Sequence, residues 1–374
     1  MKRSLIALFV AAAVLACTPI TTPPVASASA GVVEKPVINE QTRGDIQALL
    51  QKQVSAMSSK DQTAFQSTID QERRALLRCA TENYDISTRQ GVPGVNQVAK
   101  IELYLDTYVR AWVQEGSNGL RRIFFRKIDG KWVQSEPLDT ELGGEKKVTV
   151  DDVQIEYWGI DQDAVDGFSK ASSAAKAVVL GNLLSDNRRD ALIVRFYPTR
   201  GVAGIQSCTT AGYHLTNVAT DPAIRMLRYW FTASGDQSPL TVSIISHEWL
   251  HWAQDQFIPG IAARLPWWAT EGWPDYAGLV KRTVPCQATW PTLKQLEDGA
   301  DPNGPPELGA QYYSYANTMI EYLYTTYGGK AAYAKMLTAF KDDAVPANVF
   351  PKVFNVSSTK FYDDWTAWAK KKYC

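Results

Sequence analysis

An α+β fold is what this sequence predicts, on three observations. Two segments with a helical apolar period come first. A stretch that alternates with a period of two around tight-turn signals follows. Last comes a long apolar helical run that carries two of the chain's three histidines. Helices ahead of an antiparallel meander, then a small sheet followed mainly by helices, is the segregated arrangement that defines this class.

Taken in order, residues 45–57 set Ile46, Leu49, Leu50, Val54 and Met57 on one helical face, and 61–78 repeats the pattern with Phe65, Ile69, Leu76 and Leu77. Residues 101–113 alternate through much of their length and predict a strand. Ser117-Asn118-Gly119 supplies a turn, 121–127 a return strand, and Asp129-Gly130 a second tight hairpin into Lys131-Trp132-Val133. Gly143-Gly144 marks a boundary. Beyond it, 148–160 predicts a strand, 164–184 a helix and 191–197 a further strand. Ser238 is a good N-cap and Pro239 suits a first helical position, where its missing N–H costs nothing. The apolar residues Leu240, Val242, Ile244, Ile245, Trp249, Leu250 and Trp252 then predict a buried helix, and Pro259-Gly260 ends it.

That helix contains His247-Glu248-Trp249-Leu250-His251. Residues four apart lie one turn above each other on one helical face. Two imidazoles so placed grip one Zn²⁺ and leave part of its coordination sphere open, with the intervening glutamate as general base. Two histidines and an acid on an otherwise apolar helix are costly to bury without a purpose. A catalytic zinc takes three protein ligands. No further histidine follows within the next residues, and Glu271, after the turn and a short connection, is the best third ligand. His214 and Asp255 are the alternatives.

His247-Glu248-x-x-His251, followed about twenty residues later by Glu271-Gly272 in a Trp-rich frame, resembles the gluzincin metallopeptidases, the thermolysin-like and peptidase MA-like group. The resemblance covers roughly the C-terminal 60% of the chain, and only the metal motif within it is highly specific. It implies that His247, His251 and Glu271 bind one zinc ion and that Glu248 is the general base. It also implies that Asp275, four residues after the third ligand, holds a zinc-binding histidine from behind. Pro274 departs from the family pattern, which has a small helix-compatible residue there. A helix carrying Glu271 should therefore start close to Pro274 or bend at it. Tyr313, in a segment that ends at Tyr327-Gly328, resembles the tyrosine that opens a downstream helix in the family and hydrogen-bonds the oxyanion. Tyr312 and Tyr315 compete for that role. The implied activity is hydrolysis of peptide bonds in a peptide or protein held along an edge strand. No Gly-x-Met-Glu-Asn-like motif that would anchor a free amino terminus precedes the metal helix, which favours an endopeptidase over an exopeptidase.

The N-terminal half resembles the nuclear-transport-factor-like (SnoaL-like) cone fold, in which a curved sheet wraps helices around a pocket. That likeness carries no site residues. The expected organisation is a signal peptide over 1–16, a lipid-anchored flexible tether over 17–38, an accessory α+β domain over 39–144 and the metallopeptidase-like domain over 145–374.

The first residues, Met1-Lys2-Arg3-Ser4 and an apolar run from Leu5 to Ala16, have the charged and apolar regions of an export signal. Val14-Leu15-Ala16-Cys17 resembles a bacterial lipobox. It implies lipidation of Cys17 and an extracytoplasmic, membrane-tethered protein of the cell envelope. Secretion after cleavage at Ala28 or Ala30 is the alternative. Four cysteines then remain for an oxidising compartment, and Cys208–Cys286 is the expected pair. Lysines plus arginines and aspartates plus glutamates each number 39, so the formal charge is zero and no basic stripe points to nucleic acid. Two other readings stay open: a binding protein on a gluzincin scaffold, with function in the cone-like half, and a zinc hydrolase of a non-peptide bond.

Overall fold

The computed structural model describes residues 40–94, 96–105, 107–114, 120–185, 191–204, 208, 212–214, 223–228, 239–280, 282–286, 290–299 and 306–374. The expected signal, tether and lipidated Cys17, the Ser117-Asn118-Gly119 turn and the Ser238 cap all lie outside them. Among the described residues no helix is long and apolar enough to cross a membrane.

The chain is mixed α+β, as its pattern predicts. Helices α1 (Glu40–Ser58), α2 (Gln62–Gln66) and α3 (Arg74–Gln90) precede strands β1 (Gln97–Leu105), β2 (Tyr108–Gln114), β3 (Leu120–Ile128) and β4 (Lys131–Ser135). The four strands form an antiparallel meander in sequence order. Two expectations fail here. Residues 61–78 are not one helix: α2 stops at Gln66, and α3 starts only at Arg74. The backbone between them bridges to β4, through Asp70 N–H to Gln134 O and Gln134 N–H to Thr68 O, so sheet pairing wins over helical period. Nor is 101–113 one strand, because the chain reverses between Leu105 and Tyr108. The Asp129-Gly130 hairpin forms as expected, with both residues at positive φ (48° and 75°).

The second sheet runs in the order β5 (Glu145–Val150), β6 (Val153–Trp158), β7 (Leu192–Tyr197), β9 (Ile224–Leu227) and β8 (Gly212–His214). β6, β7 and β9 are parallel, and β5 and β8 are antiparallel edges. The expected single strand over 148–160 is a hairpin turning on Asp151 and Asp152 (φ 49° and 60°), with a 3-10 turn after it. Aspartate tolerates the left-handed region because its short polar side chain bonds locally. α4 (Val165–Asn182) is the crossover from β6 to β7, and α5 (Arg200–Ala203) follows β7. The remaining helices are α6 (Pro239–Phe257), α7 (Trp267–Ala277), α8 (Leu293–Asp298), α9 (Pro306–Tyr327), α10 (Gly329–Asp342), α11 (Pro346–Phe354) and α12 (Ser358–Tyr373).

One large apolar cluster joins the second sheet to α4, α6, α7 and α9–α12, with Trp249, Trp252, Trp268, Trp273 and Trp365 fully buried in it. Most of the heavy aromatic content is therefore core. Residues 37–374 form one compact unit. The two sheets meet through Tyr108, Phe124, Trp158, Ile160, Tyr197 and Leu227, and through the buried Arg122–Asp161 ion pair. The first sheet and its helices, with residues 198–200 and Cys208, line a cavity of about 270 Å³ that includes Leu50, Met57, Phe65, Tyr84 and Arg122.

The disulfides are Cys79–Cys208 and Cys286–Cys374, not Cys208–Cys286. Sequence spacing does not determine connectivity. The first ties α3 to the segment after α5. The second ties the end of α12 to the segment that leaves α7.

Candidate metal centre

Helix α6 starts at Pro239 and ends at Phe257, as its apolar run and the following Pro259-Gly260 predict. It packs against α4 and α7, with β8 and β9 alongside. Ile245, Trp249 and Leu250 anchor it in the core, and Trp249 Nε1 donates to Ile193 O of β7 at 3.3 Å. This anchoring sets the opposite face, with His247 and His251, toward α7.

Helix α7 brings Glu271 to the two rings. His247 Nε2 and His251 Nε2 lie 3.1 Å apart, and each is 3.4 Å from Glu271 Oε2. Asp275 Oδ1 accepts from His247 Nδ1 at 2.9 Å. Its carboxylate also takes Arg282 Nε at 2.7 Å and Nη2 at 3.0 Å, while Arg282 lies over the Tyr313 ring with its guanidinium carbon 5.0 Å from the centroid. His251 Nδ1 faces Gln254 Oε1 at 3.1 Å. Both Nδ1 atoms thus point at acceptors and carry hydrogen. That leaves the two Nε2 positions converging on each other and on a carboxylate oxygen.

Three electron-rich atoms pointed at one place repel each other unless positive charge sits between them. Zinc bonds of 2.0–2.1 Å in tetrahedral array imply ligand–ligand edges of about 3.3 Å, which the observed 3.1, 3.4 and 3.4 Å match. Among the described residues, His247, His251 and Glu271 form a group that can hold a metal ion. Electrostatics favour positive charge at this place, as protons on the rings or as a cation between them. Burial opposes charge on all three groups, but mutual attraction outweighs it. Hydrogen bonds to Asp275 and Glu271 raise His247 to about 10, the Glu271 charge raises His251, and the two rings hold the Glu271 carboxyl far below the usual carboxylate range.

Glu248, next to His247, is 8% exposed. Its charge acts on both imidazoles and on Tyr313. Burial first, then the charges of Glu271, Asp275 and Glu248, push the Tyr313 hydroxyl well above the usual tyrosine range. Its ring lies 6.2 Å from that of His247 and 5.0 Å from that of Trp267. The competing tyrosines are placed elsewhere. Tyr315 is fully buried against Trp290 and Trp365 and donates to Pro285 O, and Tyr312 lies at the edge of Trp267. Asp255 is no ligand either, since its Oδ1 accepts from Gly260 N–H at 2.6 Å and holds the turn after α6. His214 lies on edge strand β8, paired with Ile224.

Two expectations about the site helices need correction. α7 begins at Trp267 and continues through Pro274 to Ala277, so it does not start close to the proline. Tyr313 does not open its helix, because α9 starts at Pro306, two turns earlier.

The close approach of α7 to α9 rests on Gly272. A Cβ there would stand 2.5 Å from the Ala316 carbonyl oxygen, a backbone atom that cannot swing away. Gly272→Ala should therefore cost about 2 kcal/mol in urea denaturation. It should weaken metal binding as well, because Glu271 is the adjacent residue.

Gln254 and Tyr333 were invisible as site residues. Gln254 reads as an ordinary polar position, and Tyr333 lies 82 residues beyond His251. The only available signal was spacing: Gln254 is three residues after His251, on the same helical face. No protein-family model matches this chain, and no curated protein matches it.

Proposed function

We propose that this chain is a zinc metallopeptidase of the gluzincin type, acting outside the cytoplasm from a lipid anchor at Cys17. The observation that carries this reading is the convergence of His247 Nε2, His251 Nε2 and Glu271 Oε2, with both Nδ1 atoms already committed to acceptors. Two neutral imidazoles and one carboxylate form an established hydrolytic zinc set. Bound zinc supplies Lewis acidity, acidifying water and polarising a carbonyl. The chain's own residues do the rest. Glu248 accepts the proton of the attacking water on a carboxylate oxygen and returns it to the leaving amine. The Tyr313 hydroxyl donates to the oxygen that gains charge on the tetrahedral carbon. Arg282 and Asp275 keep the His247 ring in the tautomer that presents Nε2. Edge strand β8 packs beside α6 and has one described neighbour, β9, which suits an extended peptide added as a further strand.

The test is metal content and turnover together. Purified protein supplied with zinc should carry about one ion per chain and cleave members of a mixed peptide library, with both lost on chelation and regained on zinc return. Folded protein that takes up no transition metal would end the enzymatic reading. Zinc without cleavage of peptides or esters would favour the binding-protein reading, which the cavity in the N-terminal half supports.

A further inference from the structure

The structure assigns a positioning role to Gln254: a side-chain amide, held in one orientation by a carbonyl that Pro274 leaves free, fixes the His251 ring for metal binding. This rests on the metal-centre reading above and concerns how that centre is kept in register.

In an α-helix the carbonyl of residue 270 bonds the N–H of residue 274. Residue 274 is proline and has no N–H, so the Thr270 carbonyl lacks its helical partner. A carbonyl largely withdrawn from water and left without a donor is costly, and the Thr270 carbonyl is part-buried. Gln254 Nε2 supplies the donor from α6 at 3.2 Å. The same nitrogen donates to the Tyr333 hydroxyl at 2.7 Å, and that hydroxyl donates to Ala269 O at 2.9 Å. Gln254 is 1% exposed and Tyr333 is fully buried, with its ring stacked on Trp273 5.1 Å away.

The amide therefore has only one satisfactory orientation. Turned over, it would place its oxygen against the Thr270 carbonyl. In the observed orientation Nε2 faces three oxygen atoms, and Oε1 is left facing His251 Nδ1 at 3.1 Å. An acceptor at Nδ1 puts the hydrogen there and leaves Nε2 bare for a cation. Asp275 does this for His247 with a charge; Gln254 does it for His251 with a neutral group. The proline that looks like a flaw in α7 is thus the source of the acceptor that orients Gln254.

The test uses Co²⁺, whose visible absorption reports coordination and whose affinity is read by competition with a chromophoric chelator. Gln254→Met keeps length and burial but removes both hydrogen-bonding ends. It should lower Co²⁺ affinity about 10–100-fold and lower the melting temperature of the metal-free protein, because the Thr270 carbonyl loses its donor. Gln254→Met combined with Pro274→Ala gives that carbonyl a helical N–H again. The double variant should regain melting temperature while its Co²⁺ affinity stays low. Wild-type affinity in folded Gln254→Met overturns the inference. So does affinity that returns together with stability in the double variant, since Gln254 would then act only through the fold. Wild-type protein that takes up no Co²⁺ or Zn²⁺ fails the metal centre itself, a different result from either.

Discussion

Glu248→Gln is expected to lower turnover by about 10²–10⁴-fold and to leave the zinc content unchanged. The amide has nearly the shape of the carboxylate but does not take a proton near neutrality. Glu248 is not one of the three converging ligand atoms, so metal affinity has no reason to collapse. It is buried beside His247, where its charge acts on both rings and on Tyr313. Peptide hydrolysis by wild-type and variant protein, each with measured zinc stoichiometry, checks the outcome. Wild-type turnover in the zinc-loaded variant would remove Glu248 from the mechanism. Loss of zinc along with activity would show that the glutamate serves the metal site instead.

Local features of the fold were legible where one physical signal dominated. The α6 helix declares itself through Pro239, a long apolar run and Pro259-Gly260. The hairpin at Asp129-Gly130 declares itself through turn chemistry. Where two signals compete, local pattern alone points the wrong way. In 61–78 the apolar spacing is helical, yet Thr68 and Asp70 give their backbone to Gln134 of β4, a residue more than sixty positions away. At 151–152 an aspartate pair without glycine makes the turn, between Val150 and Val153 in a run that alternates across it.

The site divides along the same line. His247, His251 and Glu248 belong to one helix, and their geometry follows from its period. Glu271 and Asp275 are four apart on a second helix, so one placement locates both. Gln254 and Tyr333 matter only because α6, α7 and α10 meet in space, and no local pattern reports that meeting. Pro274 predicts a helix start or a bend because the lost hydrogen bond is countable from the sequence, whereas its replacement by Gln254 is not.

The second large effect is expected at Asp275. This carboxylate is fully buried and holds three donors: His247 Nδ1 and two nitrogens of Arg282. Asp275→Ala removes the carboxylate that pairs with Arg282, whose guanidinium also lies on Tyr313, and the acceptor behind the His247 ring. Breaking such a pair from one side should cost about 3 kcal/mol in urea denaturation, at the lower end for buried pairs because Arg282 retains access to water. The zinc affinity of the folded fraction should fall about 10–100-fold, since the His247 ring is then free to rotate and to place its hydrogen on either nitrogen. Asp275→Asn separates the two effects. Its amide keeps the volume and one acceptor oxygen, but its NH₂ must face either Arg282 or His247, donor against donor. It should therefore lose less stability than Asp275→Ala and nearly as much zinc affinity. If both variants bound zinc as tightly as wild type while Asp275→Ala alone unfolded more easily, Asp275 would be an anchor for Arg282 and the segment leading to Cys286, and His247 would need no support from behind to hold a metal.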